Sequence, residues 1–481
     1  MNYKMVLYLL GRILIIMAML MCLPLSIALV QKEDPSLGFL VAIGVALVFG
    51  LIFGVKKPAD TTLYAKEGVV VVGAGWLVTS ILGALPFYIG SEIPSFVNAF
   101  FETVSGFTTT GASVVNNIEG MSHSALFWRS FTQWIGGMGV LVFVLAITPK
   151  SEKSQSIHIM RAESPGPQVG KLVSRMRNTA RILYGIYISL TALEVVCLIM
   201  TGMPLFDSLL TSFSTAGTGG FSVKNASIAA YDSAVVDWII ALFMTLFGIN
   251  FSLFYLILTG NILQALKSEE LHWYLGIVSV AGLLIASNIL PLYENFLEAL
   301  RYAFFQVTSI MTTTGFITAD YEQWPVFSQT ILIILMFIGA CAGSTGGGIK
   351  VSRLLILIKS SMRELRQQLR PRSVTAISLE NKPVDARVVS GVMAYMSIYA
   401  FTFVIAQLLL SLDKFSYVTN LSAVITCINN IGPGLDAVGP VHNFYAYSTL
   451  SKVVLSITML AGRLELMPIV LLFAPSTWRR R

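Results

Sequence analysis

Charge is what this sequence has little of. Asp, Glu, Lys and Arg make up 12% of its 481 residues, against about a quarter in a soluble domain, while hydrophobic residues make up 55%. That balance excludes a soluble globular fold and describes a multi-pass membrane protein. Cysteine is sparse too: Cys22, Cys197, Cys341 and Cys427 stand alone, with no CxxC and no Cys/His pair. This argues against a disulfide framework or a thiolate metal site and leaves buried apolar thiols. His123, His158, His272 and His442 are equally scattered, which argues against zinc. No HExxH, GxSxG or clustered Asp pair occurs in the apolar runs, so the chain does not read as an enzyme.

What is there is a series of apolar runs separated by basic segments. A membrane span needs about 20 apolar residues. Runs of that kind fall near 7–30, 36–55, 67–89, 125–148, 180–202, 234–260, 271–292, 326–359, 387–411 and 447–474, which predicts an all-α polytopic membrane protein with ten transmembrane helices. The run from Met5 to Val30 exceeds the roughly 7 to 15 residues of a signal-peptide core and lacks a clear small-residue cleavage site, so it reads as a retained first span. The formal charge of +7 comes from Lys and Arg between the spans: Lys56, Lys57 and Lys66, the stretch from Lys150 to Arg181, the stretch from Lys350 to Arg387, and Arg479 to Arg481. With ten spans all of these lie on one side, which makes that side and both termini cytoplasmic and gives the charge a reason other than nucleic acid. The opposite loops carry Glu92, Glu119, Asp232, Asp320, Glu322, Asp413 and Asp436, an acidic outer vestibule suited to concentrating cations.

Four further apolar pieces, 95–107, 205–214, 296–310 and 417–428, are too short to cross and read as re-entrant half-helices. Each leads into a Thr/Gly segment: Thr109-Thr110-Gly111, Thr218-Gly219-Gly220, Thr313-Thr314-Gly315 and the divergent Ile431-Gly432-Pro433-Gly434. Matching Gly111, Gly219, Gly315 and Gly434 gives a period on the order of a hundred residues. In that register Thr103, Thr211 and Thr426 each fall eight residues before their glycine, and Ala99-Phe100-Phe101-Glu102 parallels Ala303-Phe304-Phe305-Gln306. The unit is span, half-helix, extended loop, span, repeated four times after two extra N-terminal helices.

Non-helical backbone inside a membrane is tolerated only where it is buried in protein or lines a wet cavity. Glycine lets successive carbonyls point inward, and threonine adds a hydroxyl oxygen. Rings of such oxygens can replace the hydration shell of a monovalent cation. On these residues the chain resembles the Trk/Ktr/HKT potassium-uptake superfamily, and within it the TrkH-type membrane subunit, over essentially its whole length.

The resemblance implies potassium as the transported ion and the four Thr/Gly segments as its filter. A glycine in every filter loop goes with potassium preference in this superfamily, and a serine in the first loop with sodium in some plant relatives. It divides the chain into two extra helices (1–64), a first repeat (65–149), a basic cytoplasmic loop (150–178), a second repeat (179–262), a third (263–360), a second basic loop (361–386) and a fourth repeat with the C-terminal tail (387–481). It also implies a homodimer with one pore per protomer, and a cytosolic nucleotide-binding regulatory subunit of the TrkA type that docks on the basic segments. Contact with anionic lipid is the simpler reading of those segments.

The run 339–350 contains Gly343-Ser344-Thr345-Gly346-Gly347-Gly348 and then Lys350. It is not a phosphate loop, because Ile349 separates the lysine from the last glycine and the context is a helix. A close crossing of small residues is one reading. The other is unwinding within the membrane, since each glycine costs about 1 kcal/mol of helix stability relative to alanine; the resemblance makes this segment an intramembrane gate. Arg463, in the last span, is an intramembrane charge and so a functional candidate, with a purely structural ion pair as the plainer reading; the resemblance implies that it lies under the filter as a positive barrier. Arg463 and Glu465 do not share a helix face, so each needs its own partner. A potassium symporter coupled to protons or sodium is the alternative, and Glu194 and Glu465 are the mid-span carboxylates it would use.

Overall fold

The computed structural model describes residues 1–60, 62–139, 176–371, 376–380 and 382–478. Two helices, Tyr3–Gln31 and Ser36–Gly54, pack along each other and against the next helix. The first starts at Asn2, whose side chain accepts from the Met5 N–H. Beyond them the chain runs four times through the same sequence of elements. A leading helix (Ala65–Ile89, Met176–Met200, Glu269–Ile289, Ala386–Leu410) is followed by a short helix (Phe96–Phe107, Leu205–Gly217, Phe296–Met311, Tyr417–Asn429), an extended loop, and a trailing helix (His123–Gly137, Ala234–Phe247, Val326–Phe337, Thr449–Arg463).

The units close on themselves. Each leading helix packs on its own short helix, and each trailing helix packs on the short helix of the next unit, with the fourth trailing helix returning to the first short helix. The short helices are therefore walled by protein, which is why polar residues such as Glu102, Ser105, Thr215 and Asn429 can be buried on them.

Among the described residues six helices are long and apolar enough to cross a membrane, or seven if a pair bent by 90°, Ala234–Phe247 and Phe251–Leu258, counts as one. They are the N-terminal pair and the four leading helices. Every trailing helix stops after three to four turns, so the continuous runs expected at 234–260 and 447–474 are broken. Gly248 turns its carbonyl to the Cys341 N–H (3.1 Å), and Asn250 caps a new helix by accepting from Ser252 (2.9 Å). In the fourth unit Glu465 and Leu466 take positive φ (57° and 65°). Apolar composition permits a helix in a membrane but does not dictate its continuity; hydrogen bonds from other segments replace the helical ones here.

The third trailing helix ends before the glycine-rich run, as its composition predicts, and resumes as Val351–Leu369. Much of the basic stretch expected as a loop is thus helix, followed by a small ladder of Ser378–Leu379 with Lys382–Pro383. The first trailing helix is described only to residue 139, and most of the basic loop 150–178 lies outside the described residues. The cysteines are free, but only Cys341 and Cys427 are buried; Cys22 is exposed on the first helix and Cys197 partly so.

Candidate ion pathway

All four short helices end in the same way. A residue with left-handed backbone closes the last turn: Thr109 (φ 55°), Thr218 (55°), Thr313 (60°) and Asn430 (57°). The next N–H reaches back to the helix, from Thr110 to the Ser105 carbonyl (2.8 Å), Gly219 to Ser214 (2.8 Å), Thr314 to Ser309 (2.8 Å) and Ile431 to Thr426 (2.9 Å). This closure ordinarily takes glycine or asparagine at the left-handed position. A β-branched threonine there is strained, and strain repeated at three equivalent places belongs to the design of a site.

A glycine of positive φ follows in every loop: Gly111 (81°), Gly220 (74°), Gly315 (83°) and Gly432 (101°). This corrects the register read from sequence, because Gly220 and Gly432, not Gly219 and Gly434, stand where Gly111 and Gly315 stand. Two glycines are available in each of those loops, and a letter match cannot tell which carries the turn. Gly434 lies beyond, donating to the Val438 carbonyl (2.7 Å) and accepting from the Tyr321 hydroxyl (3.0 Å). The hydroxyl residues at a constant offset are accordingly Ser105, Ser214, Ser309 and Thr426, in place of the Thr103, Thr211 and Thr426 series.

The glycines close a ring. A Cβ on Gly111 would lie 2.1 Å from the Gly219 oxygen, on Gly220 2.1 Å from Thr314, on Gly315 2.0 Å from Ile431, and on Gly432 2.8 Å from Thr110. Each loop rests on the carbonyl before the next loop's glycine, and the fourth returns to the first. Thr110 and Thr314 are braced by the hydroxyls of Thr108 (2.8 Å) and Thr312 (2.7 Å), and Asn430 donates to Thr110 Oγ1 (2.9 Å). All four glycines and Pro433 line one cavity of about 180 Å³. A wider hollow of about 490 Å³ shares part of its wall and holds Glu322, Asp436 and His442. Burial pushes the Glu322 carboxyl above its ordinary range, against the Asp436 N–H that it accepts. Hydrogen bonds from Ser416 and Thr419 hold Asp436 below its ordinary range.

Sequence reasoning missed the ion pair behind the first two loops. Arg129 and Glu102 are both about 1% exposed and meet at 2.8 Å. Glu102 also accepts from the Val114 N–H (2.9 Å), while Arg129 donates to the Ser222 carbonyl (3.2 Å) and lies 4.1 Å from the Phe221 ring centre. The pair ties the first loop to the second. Its signal was the Glu/Gln alternation at positions 102 and 306, which names no partner.

Beneath the ring lies the run 338–350. Gly347 donates to Thr313 Oγ1 (2.6 Å), and a Cβ on Gly347 or Gly346 would come within 2.5 Å of the Asn429 oxygen or 2.9 Å of the Thr312 oxygen. The two ends of the run meet through the Gly339 N–H and the Ile349 carbonyl (2.8 Å), and the Glu270 carboxylate accepts from both Ala342 (2.7 Å) and Ser352 (3.0 Å). Ser344 turns back to the Cys341 carbonyl, Gly343 accepts from the Phe251 N–H (3.1 Å), Gly348 has φ of 68°, and Lys350 is buried with its ammonium on the Gly346 carbonyl. Arg463 bridges this run to the end of the first trailing helix, donating to the carbonyls of Thr345 (2.8 Å), Gly136 (2.6 Å) and Gly137 (2.7 Å). Glu465 pairs instead with Arg353, so the two charges do find separate partners.

A family model described as TrkH, cation transport protein, matches residues 39–269 and 271–480. The chain belongs to the TrkH family of cation transport proteins. It is 36% identical to the Trk system potassium uptake protein TrkH of Salmonella typhimurium and 35% identical to that of Escherichia coli K12, each over 487 residues and the whole of both chains. It also superposes on the crystal structure of the potassium transporter TrkH from Vibrio parahaemolyticus with a TM-score of 0.90, at 33% identity and full coverage of both chains. In this TrkH-family member the hollow that holds Glu322 and Asp436 adjoins the cavity lined by the ring, and the glycine-rich run contacts the ring's loops through Thr313 and Asn429. Among the described residues no three His, Cys, Asp or Glu side chains come together as a metal-ligand cluster. The oxygens that meet the ring glycines are backbone carbonyls, those of Gly219, Thr314, Ile431 and Thr110.

Proposed function

We propose that this chain is the ion-conducting subunit of a potassium-uptake system in a bacterial cytoplasmic membrane. Both termini are cytoplasmic, and the four short helices re-enter from outside. The observation that carries the reading is the closed ring in which four equivalent carbonyls, those of Thr110, Gly219, Thr314 and Ile431, meet four positive-φ glycines. A potassium ion sheds its water into such oxygens at little net loss. The short helices aim the negative ends of their dipoles at it. Thr109, Thr218, Thr313, Pro433 and Gly434 act as frame rather than as oxygen donors in this scheme.

The run from Gly343 to Gly348, with Lys350 and Arg463, closes the path below the ring. Arg463 places a fixed positive charge where a dehydrated cation must pass, and it also tethers the closed run. Opening requires this run to move aside, and a cytosolic nucleotide-binding partner of the TrkA type, docked on the basic cytoplasmic surface, supplies the force. The assembly is a homodimer with one path per protomer. Coupling to protons or sodium is the second reading, favoured by one observation: Glu194 is a wholly buried carboxylate beside Thr215 of the second short helix.

The test is cation flux into proteoliposomes, comparing potassium, rubidium and sodium. Arg463→Ala raises potassium and rubidium flux, and Gly111→Ser shifts preference toward sodium, because its side chain forces the ring apart at the Gly219 carbonyl. Electrically silent flux that needs a proton gradient and is abolished by Glu194→Gln would replace the channel-like reading with the coupled one.

A further inference from the structure

Three of the four ring carbonyls belong to residues with side chains, Thr110, Thr314 and Ile431, and the fourth belongs to Gly219. The space a side chain would take at position 219 is occupied by Gln133 of the first trailing helix. A Cβ there would lie 2.3 Å from Gln133 Cδ and 2.6 Å from Nε2. Gln133 is fully buried, and both ends of its amide are engaged on the second loop: Nε2 donates to the Gly219 carbonyl (2.6 Å) and Oε1 accepts from the Phe221 N–H (3.0 Å). The orientation of the amide follows from these partners, since a flipped amide would set oxygen against oxygen and N–H against N–H.

Gln133 therefore spans the filter residue Gly220, gripping the backbone on either side of it from another repeat. The Phe221 ring it helps to place carries Arg129 on its face. A carbonyl already accepting a hydrogen bond offers less of its lone-pair density to an ion, and it is held in place more firmly than its three counterparts.

We infer that Gln133 is a specificity-determining positioning residue: it stands in for the missing side chain of the second loop, and by engaging the Gly219 carbonyl it makes the ring unequal, with one restrained oxygen and three that accept no hydrogen bond among the described residues. The inference rests on the filter reading above and deepens it. It explains why the second loop reads Thr218-Gly219-Gly220 where the first and third read Thr-Thr-Gly, since glycine at 219 and glutamine at 133 form one unit split between two repeats.

The experiment reads ion binding without requiring the path to open. The purified full chain in detergent is heated in potassium, rubidium or sodium chloride at equal ionic strength, and the ion-dependent rise in Tm is compared, because an ion that binds only the folded state stabilises it. Wild type gains more from potassium and rubidium than from sodium. Gln133→Met keeps the side-chain length but can neither donate to Gly219 nor accept from Phe221; its potassium-over-sodium affinity ratio falls about tenfold, the scale of one hydrogen bond redistributed at the ion. Gly219→Thr alone collides with Gln133 and loses the ion effect. Gln133→Ala with Gly219→Thr restores a Thr-Thr-Gly-like loop and recovers the discrimination that Gln133→Ala alone loses.

No ion-specific stabilisation in wild type would sink the filter reading itself. Discrimination in wild type that Gln133→Met leaves unchanged would overturn the role of Gln133 while the filter reading stands. Failure of the double variant to exceed Gly219→Thr would likewise overturn the exchange of space between positions 133 and 219. Should Gln133→Ala not fold, the methionine variant alone decides.

Discussion

Arg129 and Glu102 are two charges with almost no access to solvent, and their worth lies in what they join. Removing one partner of a buried pair leaves the other uncompensated, so Arg129→Ala is expected to destabilise the protein by about 3 kcal/mol. Replacing both, with Arg129→Met and Glu102→Gln, recovers most of that loss, and thermal melts of the purified chain check both outcomes. At this scale the sequence was partly legible. The positive-φ glycines were visible as Thr/Gly spelling, and Arg463 stood out as a charge in an apolar run. Neither Gln133 nor Arg129 could be read as part of the site, because each acts on a loop in another repeat and no local pattern links position 133 to 219.

At the scale of elements, the glycine-rich run shows why its glycines are there. Gly347 lies against the Asn429 carbonyl with no room for a Cβ (2.5 Å). Gly347→Ala must push the run away from the underside of the ring, and rubidium flux without any regulatory partner should rise several-fold while ion selectivity holds. Unchanged or reduced flux would argue that the run is a strut and not a gate. Glycine content predicted that this run would unwind, since a helix cannot hold so many residues without side chains. The breaks after Phe247 and Arg463 were not predicted: those runs are as apolar as a continuous helix, and their ends are decided by Cys341, Thr345 and Gly136, which come from elsewhere in the chain.

For the whole molecule, the proposed function gives the hollow that holds Glu322 and Asp436 the task of raising the local concentration of cations. Its carboxylates titrate in a definite order. Glu322, raised by burial, protonates first as the outside is acidified, and Asp436, lowered by the Ser416 and Thr419 hydroxyls, protonates last. Rubidium uptake at limiting concentration should fall in two stages, and Glu322→Gln should remove the stage nearer neutrality. His442→Gln serves as the control, because that imidazole lines the same hollow. The sign for stability follows: the stabilisation carried by Asp436 is present above its ordinary titration range and disappears as pH drops through its lowered value, whereas protonating Glu322 relieves a buried charge.

The sequence by itself determined the membrane class and the fourfold recurrence of a short helix followed by a glycine-bearing loop, because hydrophobic length, charge placement and the backbone demands of glycine are local properties. The tertiary structure alone decided which glycine of each loop stands in the ring, where the trailing helices break, and which partners hold Arg463, Glu465, Glu102 and Gln133. Those depend on side-chain and backbone contacts 27 positions apart for Glu102 with Arg129 and 86 or more for the others, nearly all between different repeats, and a repeat spelled along a chain carries no record of which neighbour each copy will touch.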